Sequence, residues 1–290
     1  MKNFFKYIGI FSLMCFSFYY TKEVAEFFKK DDVVMKEIEN YASIHDKECT
    51  EGYINDEGVV LGISGLVVDK DLSYSSMKGT GFDSSLIKYK EIPCIVSLEN
   101  NKDNYIIGGN PSKNGISLII NVINGKSIND IILISKNKSV ELNFLIDYKY
   151  LENNKEIINN ILNNNYDILY KGNNEKDLKT FIKDLKSINK NKNTFCVYTD
   201  NEDVLNYCMD NNLNTIKTNK IYNKNYLSNI KTNLSKGDII ILDESINLKN
   251  ELGVIINYVK SRGLKIITVN EHLKWYQKLV VTFFTLSLHI

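Results

Sequence analysis

The chain has no excess of charge. Its 36 Lys and Arg face 35 Asp and Glu, a formal net charge of +1. With no basic tail either, nothing electrostatic points to nucleic acid as a partner. Histidine is scarce, with only His45, His272 and His289 among 290 residues. The five cysteines, Cys15, Cys49, Cys94, Cys196 and Cys208, have spacings that match no zinc site. No small-x-small cleavage site follows the apolar N-terminus, where the residues after Tyr20 are Thr21, Lys22, Glu23, Val24 and Ala25. The apolar C-terminal run, Leu279–Ile290, is 12 residues long and too short to span a bilayer alone. It reads as a last strand, an extension of the last helix, or an apolar end. Asparagine runs such as Asn163–Asn165 read as compositional bias rather than a binding tract.

What is present begins with a repeat. After residue 113 a short apolar strand followed by an amphipathic helix recurs about seven times. The strand candidates are Gly115–Val122, Val140–Ile146, Tyr166–Tyr170, Thr194–Thr199, Asn214–Lys217, Asp238–Leu242 and Leu264–Thr268. Strands alternating with helices imply parallel pairing. In such folds the loops at the strand C-termini carry the site. Local signals agree. Ser127 is placed to cap a helix starting at Ile128. Gly263 suits a helix C-cap. Ile239–Leu242 is a continuous apolar run of the kind buried on both faces.

The N-terminus carries Lys2 and Lys6, then the 14 apolar residues Tyr7–Tyr20. This is the shape of an uncleaved signal anchor, and counted from Phe4 it approaches the ~20 residues of a spanning helix. The basic flank places the body outside the cytoplasm. Secretion after cleavage and a buried or interfacial helix are the alternatives. Residues 22–46 read as a helix or stalk, with Val33, Val34, Ile38 and Tyr41 at helical spacing. Residues 47–112 hold short β-like runs broken by Gly and Asp, as in a small α+β accessory domain. The expected order is therefore an anchor over 1–22, a stalk and accessory domain over 23–112, the α/β repeats over 113–278, and an apolar tail over 279–290. Outside a membrane, Cys49–Cys94 and Cys196–Cys208 fit as disulfides; free buried thiols fit as well.

The wording of the last repeats carries a resemblance. Gly237–Glu244 is an apolar strand. A helix ending at Ser261, Arg262 and Gly263, a strand Leu264–Thr268 and a short helix follow. These units resemble the polysaccharide deacetylase family (the NodB homology domain) over about residues 115–276. Val67–Gly79, running into Tyr105–Asn110, is similar to the N-terminal region of some membrane-anchored members. The resemblance implies a distorted barrel of about seven β/α units. It also implies a metal-bound water that hydrolyses an N-acetyl group. The family opens with Thr-Phe-Asp-Asp-Gly, a base followed by a metal ligand. Here the aligned residues are Asn121, Val122, Ile123, Asn124 and Gly125, and only the glycine is kept. Ile123 takes no proton, and Asn124 is a poor ligand for a hard cation. The His-x-x-x-His motif falls on Tyr170–Glu175, which has no histidine. The third motif, near Phe195–Thr199, is unrecognisable. The late Leu-x-His motif falls on Ile241, Leu242 and Asp243, with aspartate in place of histidine. None of the three histidines stands at a family position. No metal and no cofactor is therefore expected.

Three readings follow. The first is a degenerate, extracytoplasmic deacetylase-like protein that binds envelope glycan or a protein partner. The second is an active hydrolase with a relocated site, for which Asp147, Asp200, Asp243 and Glu244 are the carboxylates near strand ends. Two of these in one cleft would act as acid and base without metal; alternatively they cap helices. The third is an envelope assembly factor.

Overall fold

A computed structural model describes residues 2–101, 103–172, 174–188, 195–197, 202–211 and 213–273. In chain order the elements are α1 (Lys2–Asp31), α2 (Val33–His45), β1 (Tyr53–Asn55), β2 (Gly58–Val60), β3 (Gly65–Val68), α3 (Lys70–Met77), β4 (Tyr89–Ile92), β5 (Ile106–Gly108), β6 (Gly115–Asn121) and α4 (Ile128–Asn137). Then come β7 (Asn143–Ile146), α5 (Tyr148–Asn153), α6 (Lys155–Asn163), β8 (Asp167–Tyr170), α7 (Glu175–Ile188), β9 (Phe195–Val197), α8 (Glu202–Asp210), β10 (Thr215–Ile216) and β11 (Ile221–Tyr222). The last are α9 (Tyr226–Asn233), β12 (Ile239–Asp243), α10 (Ile246–Ser261), β13 (Lys265–Ile266) and α11 (Val269–Leu273). The apolar tail lies outside the described residues.

The chain divides into two compact units, one of residues 1–49 and 65–92, the other of residues 50–64 and 93–290. In the first, β3 and β4 form an antiparallel pair. Met35, Ile38, Ala42, Val68, Tyr74, Met77 and Ile87 make its core. Asp32 caps α2 by accepting from Val34 N, and it also receives the Tyr74 hydroxyl at 2.8 Å. Along α1, Phe11, Leu13, Met14, Phe16, Tyr19 and Tyr20 are exposed. Charged residues then fill the helix from Lys22 to Asp31. Among the described residues, no helix is long and apolar enough to cross a membrane.

The second unit is built on one sheet of eleven strands, in the order β1-β2-β5-β10-β9-β8-β7-β6-β12-β11, with β13 also paired to β6. All its ladders are parallel except β1–β2. Residues 50–64 and 93–112 thus extend the large sheet through β1, β2 and β5. No ladder among the described residues joins β1 to β11. Side chains alternate in β6: Ile116, Leu118 and Ile120 face the helix layer, where they join the core made with α4, α6, α7 and α10. Ile119 faces the other way. It meets Leu145, Leu169, Ile216, Ile239, Ile241, Val59, Leu61, Ile106, Val269 and Leu273 in a single cluster. Seven strands thus contribute side chains to this one cluster.

The end of that cluster near the strand N-termini is polar and closed by α11. The first N–H groups of a helix lack partners within it. Here Val269 N donates to Asn143 Oδ1 (2.7 Å), Asn270 N to Asp167 Oδ2 (2.8 Å) and Glu271 N to Thr268 Oγ1 (3.1 Å). His272, 1% exposed, pairs its Nδ1 with Ser117 Oγ at 3.0 Å.

Candidate functional site

The opposite end of the same strands is where a site is expected. Asn121 ends β6, Asp243 ends β12, and the two are register partners. Lys171 directly follows β8. Lys171 Nζ donates to Asn121 Oδ1 (2.9 Å), and Asn121 Nδ2 donates to Asp243 Oδ1 (2.7 Å). A cation and an anion are thus held apart by one neutral amide, at the ends of β8, β12 and β6. All three side chains are half-buried.

The loop after β6 is set by a carboxylate from another strand. Glu244 is buried. Its Oε2 accepts from the N–H groups of Ile123 (3.0 Å), Asn124 (3.1 Å) and Gly125 (2.8 Å), and its Oε1 from Ser127 N (2.7 Å). Such a nest at a helix start suits a negative charge. Ser127 takes the N-cap position of α4 as expected, but its side chain makes no cap bond; Glu244 supplies the acceptor instead. Gly125 has φ 76°, and a Cβ there would lie 2.1 Å from the Tyr150 hydroxyl. That hydroxyl is buried without a hydrogen-bond partner. Burial, and then the charge of Glu244, push its pKa up to about 12.

Each of the three described carboxylates proposed for a relocated site has a hydrogen-bond partner. Glu244 is consumed by the nest. Asp147 is exposed and caps α5 by accepting from Tyr150 N at 2.6 Å. Asp243 has one oxygen on Asn121. Asp200 lies outside the described residues. At the positions aligned with the base and its neighbouring ligand, Ile123 is 53% exposed and Asn124 turns back to accept from Lys126 N at 3.0 Å. After β8, where the resemblance calls for two histidines, the Tyr170 hydroxyl holds the loop through Asn174 O (3.0 Å).

Neither described histidine is among these residues. His45 is exposed and stacks on Tyr41 at 3.8 Å, His272 closes the far end of the sheet, and His289 lies outside the described residues. Among the described residues a divalent cation does not fit this donor set: the Lys171 ammonium stands beside Asn121 and Asp243, the position aligned with the base is an alkyl chain, and the one aligned with the metal-binding aspartate is a neutral amide. Lys171 and Asn121 as a working pair escape sequence reading. The rule that singles out Asp243, the end of a strand, applies equally to Lys171, but a search for bases and ligands passes over a lysine.

The cysteines Cys196, on β9, and Cys208, on α8, form a disulfide. Cys49 and Cys94 are also disulfide-bonded. Cys15 is a free, exposed thiol.

No protein-family profile matches the chain, and no curated protein matches it. Solved structures do. The chain is similar to wild-type BA3943 of Bacillus anthracis, a CE4 family pseudoenzyme, with TM-score 0.63 and 20% identity over 85% of this chain and 96% of that one. It is similar to a BA3943 mutant with restored enzymatic activity, with TM-score 0.64 and 19% identity over 85% and 100%. It is also similar to the peptidoglycan N-acetylglucosamine deacetylase Bc1960, with TM-score 0.53 and 16% identity over 60% and 94%. An 85% match is longer than the second unit, so the likeness to BA3943 reaches into the first. The chain carries the α/β fold of the CE4 polysaccharide deacetylases, the pseudoenzyme BA3943 among them.

Proposed function

We propose that this chain is a catalytically impaired, deacetylase-like protein that binds a cell-envelope glycan at the mouth of a distorted barrel. One observation carries the reading: where the resemblance calls for a base and metal ligands, there stand an exposed isoleucine and the Lys171–Asn121–Asp243 string. Residues 217–220 carry the chain from β10, inside the sheet, to the edge strand β11. Lys217 N bonds Ile106 O and Ile241 N bonds Lys220 O, both at 2.9 Å. This supports the barrel. Lys171 and Asp243 offer a donor and an acceptor to sugar hydroxyl and amide groups. The similarity of BA3943, itself a pseudoenzyme, supports the loss of activity.

The body sits outside the cytoplasm, attached to a membrane through α1. The exposed apolar side chains of Phe11, Leu13, Met14, Phe16, Tyr19 and Tyr20 support attachment. The Cys196–Cys208 disulfide supports an oxidising compartment.

The test is a purified full-length chain assayed for bound divalent metal, for acetate release from N-acetylated peptidoglycan and chitin oligomers, and for retention on the same glycans. Retention without metal or acetate is expected, and Lys171→Ala and Asp243→Asn weaken it. Stoichiometric metal with acetate release would sink the proposal, as would retention that ignores both substitutions.

A further inference from the structure

The end of the sheet away from the mouth carries a strip of positive charge. Strands alternating with helices bring the helix C-termini to the strand N-termini. There α4 and α10 run side by side. Their starts are tied by Lys249 Nζ on Asp130 Oδ2 at 3.2 Å, and their ends by Lys138 Nζ on Asn257 Oδ1 at 3.0 Å. Lys260 Nζ also donates to Lys138 O. β13 starts just beyond, with Lys265 N on Asn114 O at 2.9 Å. Lys136, Lys138, Lys260, Arg262 and Lys265 thus follow one another across two helix ends and a strand start. Lys138 is half-buried and the other four are exposed.

Neighbouring acids do not cancel this charge. Asp238 is matched by Lys220, 2.6 Å away. Buried Asp167, at the start of α11, is matched in number by Lys113, whose Nζ donates to Glu271 O and His272 O. Glu141 and Glu271 then face the five cations of the strip, an excess of three. That exceeds the +1 of the whole chain, so the rest of the molecule is negative overall. The C-termini of α4 and α10 return about one negative charge between them, and the strip stays positive.

Cations spread in this way gain little from a single anion and more from a chain of repeated anions. Arg262, the only arginine in the chain, has the fork that fits phosphate oxygens. Exposed Asn137, Ser139 and Ser261 stand among the cations as hydrogen-bonding groups. The apolar residues within 136–141 and 260–265, Val140 and Leu264, are buried, so none is offered to a lipid layer. These segments hold no aromatic ring on which a nucleic-acid base would stack. We propose that the strip is a docking surface for a linear polymer of phosphodiesters without bases, of the poly(alditol phosphate) class. Gly115 and Asn121 stand at opposite ends of β6, roughly 20 Å apart at the rise of a strand. Polymer binding here and glycan retention at the mouth are therefore separate results.

The test is calorimetric titration of the full-length protein, in neutral detergent, with a glycerol phosphate decamer and with a thymidine decanucleotide. The glycerol phosphate polymer is expected to bind, with log Kd rising against log salt at a slope of about 2–3, as for three or four neutralised phosphates. Arg262→Gln combined with Lys265→Gln weakens binding about tenfold at low salt and lowers the slope by about 1.4. Both side chains are exposed, and an unchanged thermal midpoint checks the fold. Lys136→Gln, on the α4 side of the strip, shifts both readings in the same direction. Absence of binding, or a Kd indifferent to salt, would overturn the proposal. So would binding that survives all three substitutions, or a decanucleotide bound more tightly than the glycerol phosphate polymer.

Discussion

At the scale of single residues, two buried polar groups have measurable consequences. Glu244 satisfies four backbone donors at once. Glu244→Ala leaves those donors bare, and a loss of about 3–5 kcal/mol in urea unfolding is expected. Glu244→Gln keeps an acceptor and loses less. His272 Nε2 makes no protein hydrogen bond and packs against Gly109. Burial first, and the charge of Lys113 second, push its pKa down to about 3. The unfolded chain therefore binds a proton, near an ordinary pKa of about 6.5, that the folded chain refuses. This contribution to stability is constant above that pH and falls by about 1.4 kcal/mol per unit as pH drops toward 3. His272→Asn removes that slope, which denaturation curves between pH 7 and 4 would reveal.

At the scale of elements, the repeat was legible because each strand is apolar on both faces and each helix on one. Gly263 closes α10 at φ 73°, as its place after Arg262 foretells. The sequence did not disclose β11, because Ile221–Tyr222 is two residues long and lies between polar segments. It also did not disclose that β1, β2 and β5 continue the large sheet, a long-range pairing that no local pattern encodes. The mouth was half legible: Asp243 and the lost motif positions could be named, whereas the Lys171–Asn121 bond exists only once β6 and β8 are brought close. The Cys196–Cys208 link ties β9 to α8 across 12 residues. Replacing both cysteines with serine is expected to cost about 3 kcal/mol, read as a lower denaturation midpoint under oxidising but not reducing conditions.

At the scale of the whole molecule, the likeness to BA3943 reaches into both units, whereas the likeness to Bc1960 covers 60% of the chain. Chelators are expected to leave the thermal midpoint of the full-length protein unchanged within about 1 °C, since a metal that bound only the folded state would raise it. A drop on chelation would contradict the donor set at the mouth. The nest around Glu244 explains why such indifference is structurally affordable. The loop that in an active relative must present a base and a ligand takes its shape here from a carboxylate 117–121 residues away in sequence, at the end of the adjacent strand β12. Under the proposed function, shape and chemistry are separate inheritances: the loop keeps its form through Glu244 whatever groups it presents, a finished mould whose contents are free to change.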